Sequence, residues 1–230
     1  MNWIINFFTS SIGKKVIMSL TGLFLISFLL VHLSGNLQLL IDDGGKQFNI
    51  YAKFMTTNPV IKFLAYGLYA GFLLHIIQGI ILWVQNKSAR GGNRYAKKVT
   101  RATATNGWAA KNMAWLGILV LIFLFIHMGD FWYAMKFGDV PKVTYAGVDG
   151  EVKDLYAKVS TTFDKPIFVA IYVISMIGLG FHLLHGFQSA FQTLGLNHPK
   201  YSPIIKGIGA VYAIGVPLMF AIIPIWMLLM

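Results

Sequence analysis

The stretch LLVHLSGN, residues 29–36, sets an imidazole, His32, inside a run that is almost wholly apolar from Val16 to Ile41. About 20 helical residues cross the roughly 30 Å hydrocarbon core of a bilayer, so a run of this length predicts a membrane span. Four more runs match it, and together the apolar segments lie at 16–41, 60–85, 112–135, 166–195 and 204–229. Turn signals separate them: Asp42 to Gly45, Asn58 with Pro59, Gly91 to Asn93, Lys165 with Pro166, and Gly195 ahead of Pro199 and Pro203.

Composition agrees with a chain dissolved in lipid. Of its 230 residues 57% are hydrophobic and 12% charged, too little polar surface for a soluble domain of this size. With no cysteine, disulfides, thiolate-held clusters and Cys-type zinc sites are excluded. The first run follows Lys14 and Lys15 as the core of a signal peptide would. It is longer than such a core and lacks a small-residue cleavage site, so it reads as an uncleaved anchor. No internal repeat or second domain stands out, and a single domain over 1–230 is expected.

The charges orient the spans. With the N-terminus inside, the inner segments carry Lys14, Lys15, Lys87, Arg90, Arg94, Lys97, Lys98, Arg101, Lys111, Lys200 and Lys206 and no acid. All the Asp and Glu, namely Asp42, Asp43, Asp130, Asp139, Asp149, Glu151, Asp154 and Asp164, fall outside together with eight Lys. The positive-inside rule then gives N-in and C-out. The net charge of +11 could suggest nucleic acid. In a chain of five spans, however, the basic 87–111 loop is better suited to anionic lipid or a docking partner protein.

His32 has counterparts: His75 in FLLHIIQG (72–79), His127 in LFIHMGD (124–130), and His182 with His185 in FHLLHGF (181–187). One intramembrane His is often only a hydrogen-bonded packing residue. A His on each of the first four spans is harder to explain that way, because ionisable groups at membrane depth are costly and mark functional sites. At about 1.5 Å per residue, His32 and His127 lie roughly 15 Å from the outer boundary, and His75 and His182 roughly 25 Å. They form two level pairs on alternate antiparallel helices. Two imidazoles facing across a bundle are the axial ligands of a six-coordinate haem, and two pairs make a two-haem wire. Zinc or copper would ask for further ligands that these levels do not supply. Gly35, Gly79, Gly129 and Gly186, each within four residues of a His, would let a planar ligand approach, although close helix packing also uses such glycines.

In these features the chain resembles the cytochrome b membrane anchor of succinate dehydrogenase and quinol:fumarate reductase, in its single-chain, five-helix, di-haem form. The resemblance runs over nearly the whole chain. It rests on the lead from Lys14 and Lys15 to Ser19, Thr21 and Gly22, on His32 with Gly35 and Asn36, on His75 and His127, and on His182 with Gly186 and Gly195. It implies an all-α integral membrane bundle of five transmembrane helices, the first four forming a di-haem four-helix core. It implies two haem b: an inner one held by His75 and His182, and an outer one held by His32 and His127. It further implies a flavoprotein and an iron–sulfur subunit on the inner face, a membrane quinone (menaquinone or ubiquinone) as substrate, no dicarboxylate site in this chain, and a bacterial cytoplasmic membrane as its location.

Asp42, Asp43 and Asp130 are candidates for proton exchange with the quinone; a solvated turn is the plainer account of the first two, and a place in an interfacial belt with Trp132 and Tyr133 is an equal account of the third. Ser19 and Trp108 are candidates to bond a haem propionate, with bonding to its own helix backbone the plainer role for Ser19. Some members of the family carry a glutamate two positions before the fourth-span ligand; Gly180 stands there in this chain, so that proton route is not expected. His185, one turn past His182, reads as a neighbour rather than a ligand, and His198 as a solvated loop residue. Trp3, Phe7 and Phe8 suggest an interfacial N-terminal helix, and helical spacing at 46–56 and 151–160 predicts two surface helices roofing the outer haem. Two other classes remain open: a di-haem cytochrome b of another dehydrogenase or reductase, such as a hydrogenase or nitrate reductase, and a non-redox transporter.

Overall fold

The computed structural model of the chain describes residues 2–90 and 107–230. The basic residues Arg94, Lys97, Lys98 and Arg101 therefore lie outside the described residues. Helix α1 (Asn2–Thr9) is exposed along its length, Trp3, Phe7 and Phe8 included. It meets α2 (Ser11–Asn36) at a tight turn where the Ser10 hydroxyl accepts from the Gly13 N–H at 3.0 Å, an N-cap bond. A Cβ on Gly13 would stand 1.9 Å from the Phe7 carbonyl oxygen, so only glycine fits there.

Helix starts follow from capping chemistry. α4 (Pro59–Arg90) opens with proline at its first position and Asn58 as cap, whose Oδ1 accepts from Val60 N at 2.9 Å and Ile61 N at 3.3 Å. α3 (Lys46–Thr57) begins after Gly44 and Gly45, both at positive φ, and the Asp43 carboxylate accepts from Gln47 N at 2.9 Å. α5 (Gly107–His127) runs into a wide π turn (Met128–Tyr133) and then α6 (Ala134–Phe137). α8 (Pro166–Thr193) ends in a Schellman motif: Leu196 N bonds Phe191 O and Gly195 N bonds Gln192 O around Gly195 at φ +82°. α9 (Ser202–Leu229) contains Pro217 and Pro224, each of which removes a backbone donor from the helix.

Among the described residues, five stretches are long and apolar enough to cross a membrane: Ser11–Leu40, Pro59–Ala89, Gly107–Phe137, Pro166–Thr193 and Ser202–Leu229. The fold is an all-α membrane bundle, as the hydropathy runs imply. Several spans begin earlier than the apolar runs because caps, rather than hydropathy, set where a helix starts. Large apolar side chains such as Phe63, Phe125 and Val211, 76%, 72% and 74% exposed, present surface that only lipid would satisfy.

Contacts divide the chain into two units, with the dividing points inside the long helices. The first comprises the described residues of Met1–Ser27, Gly67–Ile118 and Gly180–Ile214. Within it Tyr212 donates to the Ile26 carbonyl at 2.6 Å, tying α9 to α2, and a Cβ on Gly71 would meet the Phe24 ring at 2.9 Å. The second comprises Phe28–Tyr66, Leu119–Leu179 and Gly215–Met230. Here α3 packs on α7 (Leu155–Phe163) and on a short antiparallel hairpin of β1 (Lys142–Val143) and β2 (Val152–Lys153). The helix expected at 46–56 is present as α3. That expected at 151–160 is displaced: Val152 and Lys153 pair in the hairpin, and the helix starts only after Asp154, whose Oδ1 accepts from Ala157 N at 3.0 Å.

Asn49 holds this second unit's extramembrane cap together. It is fully buried, its amide donates to Tyr145 Oη and Asp154 Oδ1, both at 2.9 Å, and its oxygen accepts from Tyr156 N at 2.9 Å. Burial pushes the Tyr51 phenol above its ordinary pKa. Its ring fills the space beside Gly35, where a Cβ would come within 2.4 Å.

Candidate functional site

In the first unit α4 carries His75 and α8 carries His182, and their rings lie 6.3 Å apart, centre to centre, at 62°. In the second unit α2 carries His32 and α5 ends on His127, and these rings lie 5.7 Å apart at 83°. These are the pairs that the depth count gave. Two metal–nitrogen bonds of about 2 Å, with each ring centre about 1 Å beyond its nitrogen, separate coaxial imidazole centres by about 6 Å, so both pairs match a bis-imidazole span. Among the described residues no group of three or more His, Asp or Glu side chains could hold a metal ion. A porphyrin supplies four of its iron's ligands and asks only two of the protein.

The surroundings fit the same group. Among the described residues five buried side-chain polar atoms lack a hydrogen-bond partner, and four of them are in or beside these pairs: Nδ1 of His127, His182 and His185, and Oε1 of Gln78, three residues past His75. Buried polar atoms without protein partners call for an explanation, and a bound ligand is one. His75 differs, since its Nδ1 lies 3.2 Å from Thr21 Oγ1. That hydroxyl already donates to the Ile17 carbonyl at 2.8 Å, so Thr21 accepts from His75 Nδ1–H. This tautomer leaves Nε2 with its lone pair for a metal.

The glycines sort by contact. Gly35 is taken up by Tyr51, and a Cβ on Gly79 would meet Met18 Cε at 3.3 Å, so these two serve ordinary packing. Gly129 and Gly186 face open space within 4 Å. Two glycines that the spacing did not single out lie beside the first-unit pair: Gly22, whose Cβ would stand 3.4 Å from His75 Cε1, and Gly117, 4.0 Å from His182 Cε1.

The remaining candidates take specific places. Ser19 is buried and donates to its own helix at Lys15 O, 2.9 Å. Trp108 is exposed and meets Phe181 edge-on at 5.1 Å. Asp42 is exposed, while Asp43 caps α3 through Oδ2 and keeps Oδ1 buried and unpartnered. Asp130, in the π turn one turn past His127, accepts from the buried Tyr172 hydroxyl at 3.1 Å. The Tyr172 ring also lies 6.1 Å from His127 and 5.0 Å from Phe163 of α7. Sequence reading missed Tyr172, because its partner is set by the π turn's altered phase rather than by α-helical spacing. Thr21 entered the sequence reading only as part of the lead into the first span; its role opposite His75 could have been found by extending the depth count to hydroxyls.

The fifth span contributes as well: Phe220 of α9 lies 5.6 Å from the His32 ring, which also stacks on Phe28 at 5.2 Å. His198 is exposed in the loop after α8, its Nδ1 accepting from Lys200 N at 3.2 Å.

The fold and these paired imidazoles define an all-α integral membrane protein with two histidine pairs on its first four spans. No family model, curated protein or solved structure matches the chain.

Proposed function

We propose that the chain is a di-haem cytochrome b anchor of a succinate dehydrogenase or fumarate reductase, carrying electrons between an iron–sulfur subunit and membrane quinone. The observation that carries this reading is the meeting of four histidines, from four different spans, as two ring pairs at 6.3 and 5.7 Å. His75 and His182 would hold one haem b, and His32 and His127 the other. Haem iron held this way takes up and releases one electron at a time.

The chain's own groups handle orientation and protons. Thr21 fixes the His75 ring through Nδ1, and Phe28 and Phe220 flank the His32 ring and exclude water from that side. Reducing a quinone by two electrons also consumes two protons, and the Asp130 carboxylate with the Tyr172 hydroxyl forms a hydrogen-bonded pair beside His127 able to hand one on. Asp43 Oδ1, buried and unpartnered, is a second acceptor in the same unit. The dicarboxylate chemistry would belong to the flavoprotein, docked with its iron–sulfur partner on the inner face. The test is the purified chain with whatever subunits accompany it. Two b-type haems per chain and a co-purifying flavoprotein and iron–sulfur protein are expected. A haem-free chain would refute the reading, and companions of a hydrogenase or nitrate reductase would reassign the complex.

For location we propose a bacterial cytoplasmic membrane, with N-terminus inside and C-terminus outside, from the exclusion of acids from the inner segments. The native chain has no cysteine, so a single introduced thiol reports alone. Ser88→Cys and Thr144→Cys are both at exposed positions. In intact cells an impermeant thiol reagent should label the Thr144 variant and spare the Ser88 variant. The reverse pattern would invert the topology.

A further inference from the structure

At the end of the Gly107–Phe137 span, the second unit has an open cleft of about 310 Å³ between α3, the end of α5's extension through α6, and the β-hairpin. Its lining includes Lys53, Thr56, Lys136, Lys153 and Glu151. Two of the ammonium groups are pinned by backbone carbonyls: Lys53 Nζ donates to Asp149 O, and Lys153 Nζ donates to Met135 O. Each of these ammonium groups has three N–H donors and spends one on its carbonyl, so cationic donors remain for a ligand. The one acid in the lining, Glu151, is already engaged by Lys142 at 2.7 Å, which raises the Lys142 pKa. The cleft therefore presents three positive charges and no uncommitted negative one.

Its volume is at the lower end of that of small-ligand clefts, enough for a phosphate and its nearest substituents. Its position decides the source. Met135 and Lys136 are among the last residues of one span, and Thr56 precedes by three residues Pro59, the first of another. The ends of spans lie at the depth of the headgroup layer, where a lysine side chain reaches lipid phosphate. We infer that this cleft binds the phosphate of an anionic membrane lipid, with Lys53, Lys136 and Lys153 as the ligating cations. The site stands apart from the electron-transfer reading and does not depend on it.

The experiment uses the full chain with its companion subunits in mild detergent, and measures binding of short-chain phosphatidylglycerol, short-chain phosphatidylcholine and inorganic phosphate. Phosphatidylglycerol should bind best, and its affinity should fall as salt rises. Each lysine near a membrane surface contributes about fivefold to anionic-lipid binding, so Lys53→Gln with Lys136→Gln should weaken phosphatidylglycerol roughly twenty-fold. Lys46→Gln, an exposed lysine outside the cleft lining, should change it less than about twofold. If the double variant fails to assemble, Lys53→Gln alone should weaken phosphatidylglycerol about fivefold while Lys46→Gln leaves it within about twofold, and equal effects of the two would overturn the site. Equal affinity for phosphatidylcholine, or no salt dependence, would overturn the site. Inorganic phosphate competing as tightly as the lipid would overturn the lipid assignment in favour of a soluble anion.

Discussion

His32→Ala and His127→Ala should each abolish one and the same potentiometric haem component, while His75→Ala and His182→Ala abolish the other. The expected effect is near-complete loss of that component, because a bis-imidazole iron that loses one axial ligand becomes five-coordinate or is released. The ring pairs at 5.7 and 6.3 Å fix which variants go together. Haem content and redox titration of membranes containing the assembled complex make the measurement. His185→Ala should retain both components, since the ring facing His75 is that of His182. Where an alanine variant does not accumulate, His→Met at the same position keeps an axial ligand and should raise the potential of its own component alone. If His32 and His75 variants altered the same component, the pairing would be refuted.

Asn49→Ala should produce the largest structural effect outside the spans. The substitution leaves the Tyr156 N–H without its acceptor and takes one of two donors from Asp154 Oδ1, which keeps the Ala157 N–H; an unsatisfied buried donor costs about 1–3 kcal/mol and a lost hydrogen bond to a charged group about as much. A total of about 3 kcal/mol is expected, since α3, α7 and the turn bearing Tyr145 are all joined through this one amide. Asn49→Asp should be at least as damaging, because it places a second carboxylate where the amide now donates to Asp154 at 2.9 Å. The readout is amide hydrogen exchange across Leu155–Phe163 together with the thermal midpoint of the purified complex. Unchanged exchange at Tyr156 in the alanine variant would show that the cap is held by something else.

The spans were legible because hydropathy over some 20 residues is a strong, local signal, and the capping residues Ser10 and Asn58 sharpen it only at the edges. The histidine pairs were legible for a related reason. Depth in a membrane is a linear count along a helix, so residues on antiparallel neighbours can be matched without knowing the packing. What escaped depends on contacts between segments distant in sequence. Asn49 and Asp154 are 105 positions apart and Tyr172 and Asp130 are 42 apart, and nothing local in either partner names the other. The β-hairpin escaped because two-residue strands carry too little alternation to be distinguished from a helical stripe, so 151–160 reads as one helix although Val152 and Lys153 pair in the hairpin. Gly35 and Gly79 were misleading because a small residue next to a histidine looks the same in sequence whether it admits a ligand or another side chain. Only the neighbouring atoms, Tyr51 and Met18, tell the difference.

The π turn at Met128–Tyr133 separates two angular registers within one helix. A turn closed by i to i+5 bonds holds one residue more than an α turn, and each residue advances the helix by about 100°. Such a turn has the form of a one-residue insertion absorbed by the helix instead of by a loop. Upstream, the register up to His127 is that of an uninterrupted α-helix; downstream, everything is rotated by roughly a third of a revolution. Deleting one residue between 128 and 133 would leave His127 opposite His32 while turning the Met135 carbonyl, now bonded by Lys153, and the Lys136 side chain away from the hairpin. The π turn is thus the place where a change of one residue would re-aim the headgroup end of this helix without moving its histidine.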